Sequence, residues 1–501
     1  MQRIQPGLER HLHNVAATRQ IEALATATLP LHALMQRAGL VVAKLALAVA
    51  PHAHRIWIAC GPGNNGGDGL EAAIHLHHWG KEAIVTWLGQ PDRAPPDALA
   101  AYQRAVSAGV AFSTQVPTNI QLCIDALLGI GAHLGEPNAD MGSWIDQMNG
   151  SNVPILAVDV PSGLDADTGQ ITQRHINATH TLSLLTLKPG LFTAHGRDAS
   201  GTVWLDDLQV APNMLKRIGA SARLLAQPAP AHRTHASHKG IFGDVAVIGG
   251  APGMTGAALL AANAALHAGA GRVFVGLLDG GSLSVDMTQP ELMFRSVDSL
   301  DFNTKTVVCG CGGGDAVASV IPKALLASSA MVLDADALNS IAGDVALQKL
   351  LVARINRGAA TVMTPHPLEA ARLLNCTSNQ VQQDRLGAAT RLAQRFACTV
   401  VLKGSGTVIA APDQLTAINP TGNARLATAG TGDVLAGMIG SKLAAGASAF
   451  QAACDAVYQH GQIADSWPVT SILTASKLAS QPPTRSSINL IDSCLRLFNK
   501  G

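Results

Sequence analysis

Aromatic residues make up only 3% of this 501-residue chain. Ring stacking is therefore a minor means of holding ligands, and 49 glycines put backbone N–H groups and close loops in that role. Charge is also sparse, 14% of residues with a formal net charge of +1, which removes any general electrostatic reason to expect nucleic acid or an anionic membrane as partner. Any phosphate that binds must be held by local geometry. The eight cysteines include no CxxC pair, so buried thiols in a reducing compartment are expected rather than a disulfide frame or a zinc site. Only Cys309 and Cys311 lie close together, and one intervening residue suits neither use. Long apolar runs are missing too. The most apolar early run, residues 39–50, is interrupted by Lys44 and is too short to span a bilayer. The opening Met-Gln-Arg-Ile-Gln-Pro lacks the apolar core of a signal peptide, and a cytoplasmic protein is expected.

The chain does have 48% hydrophobic residues and length enough for about two or three cored domains. Short Val/Ile/Leu runs end in glycine-rich loops and lead into alanine-rich helices, the pattern of an α/β protein. The stretch Asn419-Pro-Thr-Gly-Asn-Ala-Arg-Leu-Ala-Thr-Ala-Gly-Thr-Gly-Asp433-Val-Leu-Ala-Gly437 organises the rest. Gly430, Thr431 and Gly432 have little side chain to fend off a ligand, and a helix starting near Gly432 points unpaired N–H groups at whatever sits in the loop. Asp433 stands at the edge of that anion site, placed to take a proton from a hydroxyl attacking a bound phosphate. The alternative is an Asp that only caps the helix.

In the first half, helical spacing from Leu31 to Leu45 predicts a packing helix over about 29–49. The strand pattern of 55–60, the loop of 61–69 and a helix from Leu70 form a nucleotide-binding crossover. Gly61-x-Gly63-x-x-Gly66 fits the dinucleotide fingerprint, but the next strand, 83–89, does not end in the acid such a site uses. The loop instead carries Asn64, Asn65 and Asp68, with oxygens for a cation or a ribose. Asp125 and Asp159 close two further strands, each followed by a glycine-bearing loop. Because ligands sit beyond the carboxyl ends of parallel strands, Asn65, Asp125, Asp159 and Ser162 are candidates for one pocket, and oxygen donors alone suit a hard cation. Lys188, read as a strand-end residue, either grounds an anion or is simply solvated.

These motifs, Gly-Asn64-Asn65-Gly-Gly-Asp68-Gly, Asp125-Ala-Leu-Leu-Gly-x-Gly, Val-Asp159-Val-Pro-Ser162-Gly-Leu-Asp and Leu-Lys188-Pro-Gly, resemble in that order the NAD(P)H-hydrate epimerase domain. The resemblance implies a Rossmann-like three-layer sandwich that interconverts the R and S forms of NADHX and NADPHX, nicotinamide cofactors hydrated at ring carbon 6. By the same resemblance Asn65, Asp125 and Ser162 hold a potassium ion. Asn64, Asn65, Gly66, Gly67 and Asp68, and Gly129, Ile130, Gly131, Ala132, His133, Leu134 and Gly135, are substrate loops. Asp159 is the proton-transfer carboxylate and a substrate contact, with Lys188 as helper. Leu70 stands where relatives often carry an aromatic.

A Pro/His-rich run without periodicity, residues 227–239, reads as a linker, dividing the chain into 1–230 and 231–501. Strand, loop and helix then recur around 244–249, 307–314, 331–337, 360–366 and 399–407, predicting a mostly parallel sheet with helices on both faces. Lys403-Gly-Ser-Gly-Thr407 is expected to turn between two strands, its glycines letting N–H groups approach phosphate oxygens or simply making the turn. His366, between two prolines, is a strand-end ligand contact or a helix-entry residue.

Gly249-Gly-x-x-Gly-Met-Thr-Gly-Ala257, Leu333-Asp-Ala-Asp-Ala-Leu-Asn, Thr364-Pro-His366-Pro-x-Glu369, Val401-Leu-Lys-Gly-Ser-Gly-Thr and Ala429-Gly-Thr-Gly-Asp433 resemble the ADP-dependent NAD(P)H-hydrate dehydratase domain of the ribokinase-like superfamily. The resemblance implies that the hydroxyl of the S hydrate is phosphorylated by ADP and that loss of phosphate restores the ring. It assigns Asp433 as base, Lys403, Gly404, Ser405, Gly406, Thr407 and Gly432 to ADP, and Ala257, Gly312, His366 and Asp433 to substrate, with magnesium accompanying the nucleotide. Cys311 stands where relatives have proline. A homo-oligomer is expected. Two other readings are a sugar or vitamin kinase with an accessory domain and a nucleotide-sensing binding protein.

Overall fold

The computed structural model describes residues 1–131, 137–229 and 234–481, apart from the side chains of 215 and 216. Ala132, His133, Leu134 and Gly135, the predicted boundary at residue 230 and nearly all of the 480–501 tail lie outside the described residues.

Two sheets carry the fold. The first has the spatial order Gln2–Arg3, Thr202–Asp206, His180–Leu184, Ile155–Val158, Leu122–Ala126, Arg55–Cys60, Glu82–Trp87, Ala111–Phe112, parallel throughout except at the Gln2–Arg3 edge. The strand Arg55–Cys60 is buried on both faces and so reads as an apolar run: Ile56 and Ile58 pack under the helices Ala33–Val49 and Asn64–His78, Trp57 and Ala59 against the helix Ala139–Asn149.

The second sheet runs Met293–Phe294, Arg272–Leu277, Asp244–Gly249, Thr306–Cys309, Ala330–Leu333, Ala360–Met363, Thr399–Leu402, Val408–Ala410, Ala417–Ile418, Ala222–Leu224, Arg10–Leu12. Its first seven strands are parallel, as predicted, and those following Thr399–Leu402 include the antiparallel hairpin across residues 403–407. Val245 and Val247 face one hydrophobic core, Ala246 and Ile248 the other, so helices cover both sides.

The last two strands of this sheet come from the other side of the predicted boundary. Ala222–Leu224 pairs in parallel with Ala417–Ile418, and Arg10–Leu12 pairs antiparallel with Ala222–Leu224. They cover an edge that would otherwise present unpaired N–H and C=O groups. Leu12 also bridges to Leu187, and His13 N donates to Leu187 O at 2.8 Å, which carries the pairing on to the first domain. Leu12, Leu187, Leu191, Phe192, Leu224 and Ile418 share one buried cluster. Among the described residues no helix is long and apolar enough to cross a membrane, and seven cysteines are free thiols.

Leu12 is fully buried in that seam. Leu12→Ala should lower stability by about 2–5 kcal/mol, the cost of a core leucine cavity, read as a shift of the urea unfolding midpoint.

Candidate active sites

In the first domain the helix that follows Arg55–Cys60 begins at Asn64, six residues earlier than expected, leaving only residues 61–63 as loop. The glycines serve close packing rather than a loose turn. A Cβ on Gly66 would run into the Gly61 carbonyl oxygen, and one on Gly67 into the Met35 side chain. Asn64, Asn65, Gly66, Gly67 and Asp68 therefore occupy the opening turns of a helix.

A cavity of about 490 Å³ lies beyond the strand ends, lined by Asn64, Asn65, Asp68, Gly129, Ile130, Gly131, Asp159 and Lys188. Asp159 follows the strand Ile155–Val158 with φ 67°, a conformation that Asp tolerates better than most residues. One of its carboxylate oxygens accepts from Leu184 N at 3.1 Å and from the Lys188 ammonium. Lys188 is not at a strand end: the strand stops at Leu184, and the chain turns through Leu185 at φ 65° before reaching it. The side chain is fully buried and donates to Leu184 O at 2.8 Å, which overturns the solvated alternative.

The sequence reading missed part of the wall. Thr18, Arg19 and Glu22 come from the helix Val15–Thr26, and the helix predicted over 29–49, which begins at Ala33, lines the cavity through Leu34, Met35 and Ala38. It is more than a packing element. Burial of Thr18, Ile21 and Ala25 shows the inward stripe of the first helix, but nothing in its spacing marks Glu22 as a pocket residue. Burial, and then the Asp159 charge, raises the Glu22 carboxyl above its usual range; the same two causes in the same order push Asp68 well above it.

Asn65, Asp125 and Ser162 are brought together beside this cavity. Ser162 donates from its hydroxyl to Asp125 at 2.6 Å and from its backbone at 2.8 Å, and Leu128 N donates to the Ser162 hydroxyl at 2.9 Å. Asn65 packs on Gly129, where a Cβ would stand 3.1 Å from Asn65 Oδ1, and its buried Nδ2 has no partner among the described residues. Burial raises the Asp125 carboxyl to about 6 against the pull of the Ser162 bonds. The Asp125 carboxylate, the Ser162 hydroxyl and the Asn65 amide oxygen are oxygen donors of the kind that fit a hard monovalent cation such as potassium.

In the second domain the helix Thr431–Ala444 starts after Gly430, whose φ of 90° and contacts with Leu260 and Ala475 leave no room for a side chain. The Thr431 hydroxyl is within 2.9 Å of both Leu426 O and Thr428 O. His460, a residue the sequence reading passed over inside the helix Ala449–Ser466, holds Thr431 O at 2.9 Å. Burial drives its pKa down to about 4, so it is neutral and donates.

Asp433 thus sits in the first turn of its helix, and its carboxylate, the Asp334 carboxylate and the Cys311 thiol converge within 4.8 Å. Burial and then Asp334 raise the Asp433 pKa to about 6, while the thiol and Lys403 pull it back. Asp334 follows the strand Ala330–Leu333, is 1% exposed, and accepts from Lys403 Nζ and Thr364 Oγ1 at 2.7 Å each. Asp334, Thr364 and Cys311 were not predicted as site residues; their convergence depends on strand order. A Cβ on Gly432 would stand 3.3 Å from Lys403 Nζ, so that ammonium faces the helix start. Ala257 and Gly312 adjoin, the latter at φ 58°.

His366 turns out to be a helix-entry residue. Its Nδ1 accepts from Leu368 N and Glu369 N at 3.1 and 3.3 Å, and Glu369 answers by accepting from His366 N at 2.7 Å, a capping box opening the helix Pro367–Leu374. Its ring remains 45% exposed. Lys403–Thr407 joins the antiparallel strands Thr399–Leu402 and Val408–Ala410, with Gly404 at φ 134° and Gly406 at φ 58°.

A carboxylate in the first turn of a helix, facing a half-buried lysine and a glycine hairpin, is the apparatus of a small-molecule phosphoryl-transfer enzyme, here joined to a Rossmann-like domain with its own cavity. Comparison with known proteins narrows this class. The profile described as NAD(P)H-hydrate dehydratase matches residues 245–483, and that described as YjeF-related protein N-terminus matches residues 31–190. A bifunctional NAD(P)H-hydrate repair enzyme of Escherichia coli is 37% identical over 89% of this chain and 87% of its own. An ADP-dependent (S)-NAD(P)H-hydrate dehydratase of Neisseria meningitidis is 44% identical over 50% of this chain and 85% of its own. A solved ADP/ATP-dependent NAD(P)H-hydrate dehydratase of Bacillus subtilis is 28% identical and covers 50% of this chain and 90% of its own, with a TM-score of 0.40. The chain belongs to the family of bifunctional NAD(P)H-hydrate repair enzymes.

Glu369 offers a test of the electrostatics. It is 4% exposed, and burial raises its pKa from 4.5 to about 7. A carboxyl raised in the folded state favours folding least once the pH exceeds the folded value, so Glu369 weighs against the fold as pH rises from about 4.5 to above 7. Glu369→Gln keeps the capping acceptor and removes the charge. Its stability relative to wild type should rise between pH 5 and pH 8 by about 3 kcal/mol, read from urea unfolding at each pH.

Proposed function

We propose that the two sites act in succession on hydrated nicotinamide cofactors, the first exchanging the R and S epimers of NADHX and NADPHX and the second converting the S epimer to NADH or NADPH with ADP. The observation that supports the second step is the placement of Asp433: in the first turn of a helix, half-buried, between Lys403 and Asp334. Hydroxide is a poor leaving group from ring carbon 6 and phosphate a good one. Asp433 takes the proton as the substrate hydroxyl attacks the β-phosphorus of ADP, the bond to the AMP oxygen breaks, and AMP departs. The ring nitrogen's electron pair then expels phosphate, and loss of a proton from the neighbouring carbon restores the double bond. Gly432 and adjacent N–H groups meet the charge developing on the phosphoryl oxygens, with Lys403 as a fixed cation beside them. Lys403 through Thr407 hold the nucleotide, and Ala257, Gly312 and His366 the substrate. Magnesium would accompany the nucleotide and neutralise phosphate charge, with the Asp334 carboxylate as the nearby oxygen donor that would hold it, Asp433 being kept for the proton; the Cys311 thiol is too soft a ligand for it.

In the first site Asp159, held by Lys188, is the group that moves a proton at the hydroxyl of carbon 6, and Asn65, Asp125 and Ser162 hold potassium. We take the division into 1–230 and 231–501 as the functional one, with Arg10–Leu12 and Ala222–Leu224 pairing in the second sheet. The seven free thiols among the described residues support a reducing, cytoplasmic setting.

With mixed epimers of NADHX, ADP and magnesium, NADH absorbance should rise to full conversion in wild type and stay flat in Asp433→Asn. Asp159→Asn should give an early rise followed by the slow rate of spontaneous epimer exchange. The dehydration step should lose rate as pH falls below about 6, where Asp433 takes up a proton. Potassium should raise the melting temperature of wild type and of Asp433→Asn but not of Asp125→Asn. No NADH from wild type would return the second domain to the general small-molecule kinases.

A further inference from the structure

Both glycines of the hairpin Lys403–Thr407 take positive φ, and within it the Thr407 hydroxyl donates to Gly404 O at 3.0 Å. Further bonds reach it from outside, those on the Ser405 and Gly406 carbonyls from the first domain. Ser405 O accepts from Ala194 N at 3.1 Å and from Thr193 Oγ1 at 3.3 Å, and Gly406 O accepts from Thr193 Oγ1 at 3.0 Å. Arg385 completes the clamp: its Nη2 is 3.2 Å from both Leu402 O and Lys403 O, and its Nε donates to Thr193 Oγ1 at 3.2 Å. Thr193 is 0% and Arg385 1% exposed. A Cβ on Gly406 would run into Phe192 O, so the two segments touch backbone to backbone.

A trans peptide is planar, with its N–H pointing opposite to its C=O. Tying down the carbonyls of Ser405 and Gly406 on the side of the first domain turns the N–H groups of Gly406 and Thr407 to the other side. The Lys403 carbonyl, tied by Arg385, does the same for the N–H of Gly404. We propose that Thr193, acting with Arg385, is a positioning residue for the nucleotide, so that the ADP affinity of the second domain depends on a side chain of the first. The inference rests on the reading of Lys403–Thr407 as the nucleotide loop.

The test uses the full-length protein. Thr193→Val keeps the shape and removes the hydroxyl; Thr193→Ser keeps the hydroxyl; Gly404→Val distorts the hairpin directly. For Thr193→Val we expect KM for ADP in NADH formation, and Kd for ADP by titration calorimetry, to rise about five- to tenfold, the equivalent of one net hydrogen bond. KM for the S hydrate and the rate of epimer exchange should stay within about twofold of wild type by the same scale, and Thr193→Ser should recover most of the ADP affinity. Unchanged ADP parameters in Thr193→Val, with Gly404→Val impaired, would overturn the positioning role and leave the loop reading intact. An unimpaired Gly404→Val would overturn both. An equal rise in KM for ADP and for the hydrate would mean general damage to the domain and would also overturn it.

Discussion

Taking a carboxylate out of water costs several kcal/mol unless a cation or a set of donors goes with it, and both sites are built around that demand. Asp125, Asp159 and Asp334 each lie at or just beyond the end of a parallel strand, and none is more than 7% exposed. Their partners arrive from other crossovers: Ser162 for Asp125, Lys188 for Asp159, Lys403 for Asp334. Removing one member of a buried pair leaves the other uncompensated, typically at about 3–5 kcal/mol, so each lysine belongs to its site as fully as the acid beside it. Parallel topology makes this economical, because every strand delivers its next residue to the same edge of the sheet.

That regularity also explains how much was legible in the chain. An apolar run ending in an acid and a glycine-bearing turn reveals both the strand and the edge to which its last residue is delivered, so the places of Asp125 and Asp159 were readable before any contact was known, and that of Asp433 from the glycine loop ahead of its helix. Partners that depend on strand order were not. Asp334 and Thr364 meet Lys403 because Ala330–Leu333, Ala360–Met363 and Thr399–Leu402 are successive neighbours, and no local pattern encodes that adjacency. The glycines of 61–69 misled in the other direction. Read as turn formers, Gly66, Gly67 and Gly69 are instead contact surfaces of a helix that begins at Asn64, and only the atoms they face reveal the difference. Lys188 was misplaced for a related reason: the residue that ends its strand, Leu185 at φ 65°, is a leucine and carries no turn signature.

The composition of 227–239 reads as a linker, but strand pairing between the two units lies elsewhere. Arg10–Leu12 and Ala222–Leu224, near the two ends of the first unit, are spliced into the second sheet, and Leu12 pairs onward to Leu187. Hydrogen bonds then cross from Thr193, Ala194 and Arg197 to residues 405, 406, 420 and 422. Inter-domain contacts within a chain are commonly polar and permissive of motion; this one combines continuous strand pairing, an apolar cluster and buried polar anchors. The two units are therefore held as one body, and the turn from Lys188 to Thr193 spans the distance from the Asp159 pair to the hairpin at Lys403–Thr407. A chain that removes one epimer while regenerating it from the other has no chemical need for such contact, since the hydrate can diffuse between sites. The contact has a structural consequence instead: the glycine hairpin Lys403–Thr407 shares its support between Arg385 of its own domain and Thr193 and Ala194 of the first.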